Sequence, residues 1–198
     1  MRILSMPRIE RASLMTLEAY ARARPQFRAR VMVHKNDRTI HLGEHLTLMF
    51  EDELTIRYQI QEMLRAERIF EEAGIQEELD AYNPLIPEGR NFKATMMLEY
   101  TDVQERRSWL ERLIGIEDKI WIQAEGFERV WAIADEDLQR ENEQKTSSVH
   151  FLRFELSDEM AEALKAGGGL AIGVEHPHYT VQLRVPAAVR DALARDLA

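Results

Sequence analysis

Val149-His150-Phe151-Leu152-Arg153-Phe154-Glu155-Leu156, closed by Ser157-Asp158, is the stretch from which the rest of the chain is best ordered. Leu152, Phe154 and Leu156 form one apolar set, while Phe151 shares the other side with Arg153 and Glu155. Period-two alternation of this kind marks a strand with one fully packed face. Ser157 then stands where a helix needs a side chain to take its first free amides. A helix pattern, a strand at 170–175, a His176-Pro177 turn, a strand at 180–185 and a helix opening at Pro186 complete the run. The same order occurs upstream. A strand at 94–100 meets the cap Thr101-Asp102, and then come a helix, a strand at 120–125, a turn at Gly126, a strand at 129–134 and a helix opening at Asp135. The two stretches share a pattern and not an identity. They predict tandem βαββα units in residues 92–198, forming a mostly antiparallel sheet of about six strands with helices on one face, an α+β architecture.

Upstream, residues 1–91 read as a helical half of the same single domain, 1–198. Thr16 caps a first helix, which Pro25 is expected to break or restart. A further helical piece ends at Asn36-Asp37. Thr39–Leu42 and Leu46–Phe50 form a short hairpin about Gly43, and these two strands are candidates to extend the sheet. The longest helix is expected at about 52–72, stopped by Ala73-Gly74. On a helical wheel Ile56, Ile60, Met63 and Phe70 make a narrow stripe containing Glu67, and Leu54, Tyr58, Arg65 and Ile69 occupy the opposite side. A helix with two apolar faces is usually sandwiched, here between the sheet and another helix or a second subunit. Asn83-Pro84-Leu85-Ile86-Pro87-Glu88-Gly89-Arg90-Asn91 is irregular and joins the halves.

Composition bounds function. The chain has 198 residues, 45% hydrophobic and 31% charged, with no cysteine, which excludes disulfides, thiol catalysis and thiolate metal sites. No apolar run has the length of a membrane span and no secretory leader is evident, so the expected location is cytoplasmic. Nine Lys/Arg against three acidic residues give residues 1–38 a net +6, within a total of −9, so the remainder carries −15. The basic arm is expected to dock on the chain's own acidic body, or on a dimer partner or acidic protein. Nucleic acid is disfavoured, because that body repels phosphate.

Four constellations are chemically suggestive. His41 and His45, with His34 close in sequence and His150 or the Glu62/Glu67/Glu71 set as further ligands, could hold zinc, iron or manganese; as surface turn residues they would do nothing of the kind. Glu67, on an apolar seam, is a candidate acid or base with a raised pKa, or the partner of an arginine. His176, His178 and Tyr179 occupy a hairpin tip, either a binding loop or a plain turn. Tyr82, Asn83 and Pro84 open the irregular segment, either a binding loop or a strap across the core. No phosphate-binding glycine loop, nucleophile elbow or dinucleotide fingerprint is present; Gly167-Gly168-Gly169 ends a helix instead of opening one. A di-iron carboxylate bundle would need a Glu-x-x-His pair on helices, and none of the expected helices carries one.

Several blocks carry a family resemblance. They are Gln59 to Arg65 with Glu67-Arg68-Ile69; Glu77 to Pro87, including Tyr82-Asn83-Pro84; Lys145 to Phe154; and His176-Pro177-His178-Tyr179. Together they resemble an uncharacterised bacterial family, domain of unknown function 3501, over nearly the whole chain. The resemblance implies no chemistry. It implies a redox or peroxide-stress association, through members encoded beside rubrerythrin-like and iron–sulfur proteins. The expected function is therefore a non-enzymatic accessory or binding protein without a cofactor, acting on a protein partner or as a homodimer. The alternative is a small metal-binding protein or metal-dependent enzyme using His41, His45 and Glu67.

Overall fold

The computed structural model describes residues 8–134 and 145–198. Six α-helices lie in these residues: α1 (Leu17–Asn36), α2 (Glu53–Ala66), α3 (Glu72–Tyr82), α4 (Val103–Arg112), α5 (Asp158–Lys165) and α6 (Ala187–Ala194). The strands are β1 (Thr39–Leu42), β2 (Leu46–Phe50), β3 (Asn91–Leu98), β4 (Ile120–Ala124), β5 (Val130–Trp131), β6 (Val149–Glu155), β7 (Leu170–His176) and β8 (Tyr179–Arg184). The chain is α+β, as expected. The one sheet of about six strands is instead two antiparallel sheets of four, ordered β1-β2-β3-β6 and β5-β4-β7-β8.

The strands expected of the two βαββα stretches divide between the sheets. Their first strands, β3 and β6, pair with each other in one sheet, and their second strands, β4 and β7, pair in the other. The connections through α4 and α5 carry the chain from one sheet to the other. Alternation marks which side of a strand is buried and is silent about which strand lies beside it. The N-terminal hairpin does extend a sheet, with Phe50 of β2 opposite Ala94 of β3. The helix expected at Asp135 lies outside the described residues.

Ile40, Leu48, Phe50, Phe92, Met96 and Phe154 of the first sheet meet Ile120, Ile122, Ile172 and Val174 of the second in one core, joined by Leu110 of α4, Leu164 of α5 and Leu193 of α6. A second core gathers Ile56, Ile60 and Leu64 of α2, Ile75 and Leu79 of α3, and Leu85 and Ile86, with Phe151 packed against it. Phe151 belongs to the outward set of β6, so helices serve both sides of the first sheet. The expected placement on one face is corrected accordingly. The margins of the sheets also touch. Ile133 and Arg153 exchange amide–carbonyl bonds of 2.8 Å, and at the other margin the Tyr179 hydroxyl donates to the Leu42 carbonyl at 2.6 Å.

Three helix boundaries differ from expectation. α1 runs unbroken through Pro25. Proline forfeits one amide bond there, on the exposed side, while buried Tyr20 and Val31 anchor the helix before and after it. The long helix at 52–72 ends at Ala66. Arg68 adopts φ +56°, and the Ile69 amide donates back to the Leu64 carbonyl at 2.9 Å, a Schellman stop at which Ile69 packs against the core that holds Leu64. α3 then starts afresh at Glu72, with Gly74 in its first turn, where a glycine costs little.

Candidate functional site

The basic arm does dock on the chain itself. Arg24 forms a fork with Glu62 at 2.7 and 2.8 Å, and the Tyr20 hydroxyl donates to the same carboxylate at 2.7 Å. The arginine bonds hold the Glu62 carboxyl down at about 2. Arg8 and Arg11 pair with Asp80 and Glu72 of α3. Phe27 sits 6.1 Å from the rings of both Tyr20 and Tyr58, edge-on or nearly so. The second face of α2 is thus covered by α1.

Arg38, just past α1, is the most telling residue of the arm. It is 2% exposed. Its Nε donates to the Phe50 carbonyl at 3.0 Å and its Nη2 to the Glu51 carbonyl at 3.2 Å. Nη2 also donates to Asp196, and Nη1 lies 3.4 Å from Asp52 Oδ2. A buried guanidinium is tolerated only when its donors are satisfied and its charge is matched, and here both conditions are met.

Asp52 ties this floor to a helix and to a histidine. Its Oδ1 accepts the Thr55 amide at 2.9 Å, while Thr55 Oγ1 accepts the Asp52 amide at 2.9 Å, a reciprocal cap that opens α2. Its Oδ2 stands 2.5 Å from His34 Nε2. The Asp52 carboxylate therefore orients the His34 ring, as carboxylates commonly do. Burial raises Asp196 to about 6, against the pull of Arg38. Beside this group, burial also raises Glu51, which the Thr55 and Thr95 hydroxyls hold at 2.5 Å each.

A cleft of about 670 Å³ opens above this network. Arg30, Val33, His34 and Asp37 line one wall from a single face of α1, at i, i+3, i+4 and i+7. Asp52, Glu53 and Leu54 at the start of α2 face them, with Ile86 and Pro87, and Arg195 and Asp196 beyond α6 complete the rim. The volume is that of a small-molecule site. The walls come from four separate parts of the chain.

Of the expected site residues, His34 lies in the cleft and the others lie elsewhere. His41 Nδ1 is 3.0 Å from Thr47 Oγ1. His45 Nδ1 is 2.9 Å from the Glu99 carbonyl, and its ring stacks on Tyr100 at 4.2 Å. Glu67 is the exposed C-cap of α2, not part of an apolar seam. Neither histidine is bonded to it, and no three His, Asp or Glu groups gather in a metal-holding arrangement among the described residues. His150 is buried in the core, 2.9 Å from Thr146 Oγ1.

Asn83 acts as a strap. Its side chain takes the Ile9 amide at 2.8 Å and gives to the Ile9 carbonyl at 3.0 Å. The Pro84 carbonyl accepts from Lys93 Nζ at 2.6 Å, and Tyr82 packs on the second core. At the β7–β8 tip, His176 is buried with Nε2 3.1 Å from the Ile114 carbonyl, and its Nδ1 accepts the His178 amide at 3.2 Å. Tyr179 clasps the β1–β2 turn. These are structural contacts. The cleft as a group is not legible in the sequence, because His34, Asp52 and Asp196 share no spacing. The polar stripe on α1 and the Asp52/Thr55 cap were the available signals.

An α+β chain with two four-stranded sheets and a charged cleft beside its first helix is the class that fold and site define. The chain belongs to the family described as protein of unknown function (DUF3501), which it matches over residues 8–197. It is also similar to a crystal structure of a novel protein of unknown function from Burkholderia pseudomallei K96243, at 54% identity and a TM-score of 0.93, covering 97% of this chain and 100% of that one. No curated protein matches it. None of the described helices is long and apolar enough to cross a membrane.

Proposed function

We propose that this chain is a non-enzymatic binding protein of the cytoplasm that takes up a small ligand in the cleft between α1, the start of α2 and the segment after α6. The observation that carries this reading is the buried Arg38 beneath the cleft. It fixes Asp52, and through Asp52 it fixes His34, whose side chain is 31% exposed at the cleft wall. An exposed ring held in one orientation by a buried charge is preorganised for a ligand. The redox association expected from the resemblance supplies no chemistry to this site and is not needed by it.

The test is a ligand-observed NMR screen of metabolites against the wild type and Val33→Trp. Val33 is 69% exposed on the cleft wall, so tryptophan there fills the cleft without entering a core. Binders lost in Val33→Trp are expected. Their absence would overturn the reading. Stoichiometric zinc, iron or manganese, retained through purification and lost in a His41→Ala/His45→Ala variant, would replace it with the metal-protein alternative.

A further inference from the structure

Among the charged groups of the cleft, most are already engaged. Asp52 serves His34, Arg38 and the α2 amides, and Asp196 serves Arg38. Glu53 accepts from Arg57 Nε at 2.8 Å, away from the cleft. Three charged groups on the walls have no ion-pair partner among the described residues: Arg30, Arg195 and Asp37. All three are exposed. The unmatched charge is therefore two cations and one anion, with the His34 ring between Arg30 and Asp37 on the same face of α1.

From this we infer that the ligand is a small metabolite carrying an anionic group, carboxylate or phosphate, beside a hydroxyl or amine donor. The anion meets Arg30 and Arg195, whose guanidinium groups suit planar carboxylate and phosphate oxygens alike. The donor meets Asp37, which can only accept once ionised. Arg30 and Asp37 stand two turns apart on α1, so the two ends of the ligand are separated by about 10 Å or less along the wall. Val33, Leu54, Ile86 and Pro87 supply apolar lining between them, as metabolite sites usually do. The Arg38 floor, matched by Asp52 and Asp196, offers the ligand neither a free charge nor a free donor.

The inference rests on the cleft being the ligand site, and the experiment separates the two claims. Calorimetry at neutral pH would use malate and glycerol 3-phosphate, each an anion beside a hydroxyl, with inorganic phosphate and putrescine as comparisons. At least one of the first two binds with Kd below about 1 mM, and Arg30→Ala/Arg195→Ala weakens it by about tenfold or more. Asp37→Asn weakens the hydroxyl-bearing probe and leaves inorganic phosphate unchanged. All three replaced residues are exposed, so folding is preserved, and circular dichroism checks that it is. Binding of malate against glycerol 3-phosphate tells a carboxylate ligand from a phosphate one. If the anions fail while putrescine binds and Val33→Trp abolishes it, the ligand class is wrong and the cleft reading survives. If no probe binds and the metabolite screen is also empty, both fall.

Discussion

Arg38 is the residue on which the N-terminal half closes. Its four partners are the carbonyls of Phe50, which ends β2, and of Glu51 next to it, the Asp52 cap of α2, and Asp196 after α6. Replacing it with alanine leaves Asp52 and Asp196 without their shared cation in a buried setting. The expected cost is about 3–5 kcal/mol, the range for breaking one side of a buried pair. Urea unfolding of Arg38→Ala measures this, and a loss under about 1 kcal/mol would contradict the account of the floor. Arg38→Lys should recover only part, because lysine presents a point charge where a fork is required.

Between elements, one contact holds a margin of the two sheets together. The Tyr179 hydroxyl at the start of β8 donates to the Leu42 carbonyl at 2.6 Å and accepts the His45 amide at 3.2 Å. Gly43 lies beneath it at φ +76°, and a Cβ there would meet the hydroxyl at 2.6 Å. The turn therefore needs glycine twice over, for its backbone and for the room. Tyr179→Phe removes both bonds while keeping the ring. A loss of about 1–3 kcal/mol is expected, since a part-buried carbonyl and amide are left to find other partners. Amide exchange at His45 should accelerate in the variant, and unchanged exchange would show that the clasp is idle.

At the scale of the whole molecule, stability should depend on pH through Asp196, which fastens the segment after α6 to Arg38, just past the first helix. Its folded-state value of about 6 lies above the ordinary 3.8, because burial disfavours the carboxylate. The folded chain thus holds this proton more tightly than the unfolded chain does. The contribution is fully present below 3.8 and is lost as pH rises through about 6. Wild type should gain on Asp196→Asn as pH falls from neutral towards 4, by on the order of 1–3 kcal/mol. Chemical denaturation of both proteins across that interval checks the sign. Glu62 acts oppositely: at about 2 against 4.5, its contribution holds above 4.5 and disappears only as pH falls through about 2.

Much of this architecture was written in local pattern. The strand set Leu152, Phe154 and Leu156, the caps Asp102 and Ser157, and the hairpin about Gly43 all follow from alternation and turn chemistry within a few residues. The division into two sheets did not, because pairing of β3 with β6 depends on partners 52 to 64 residues away, and one alternating strand can lie beside any other. Glu67 showed the same limit from the other side. A helical wheel placed it on an apolar stripe, and a left-handed Arg68 ended the helix before that stripe could include it. The cleft was the least legible feature. Chain-local physics decides which groups are charged and which faces are apolar, whereas the meeting of His34, Arg38, Asp52 and Asp196 required two ends of the chain to be brought together by the burial of cores to which none of those four side chains belongs.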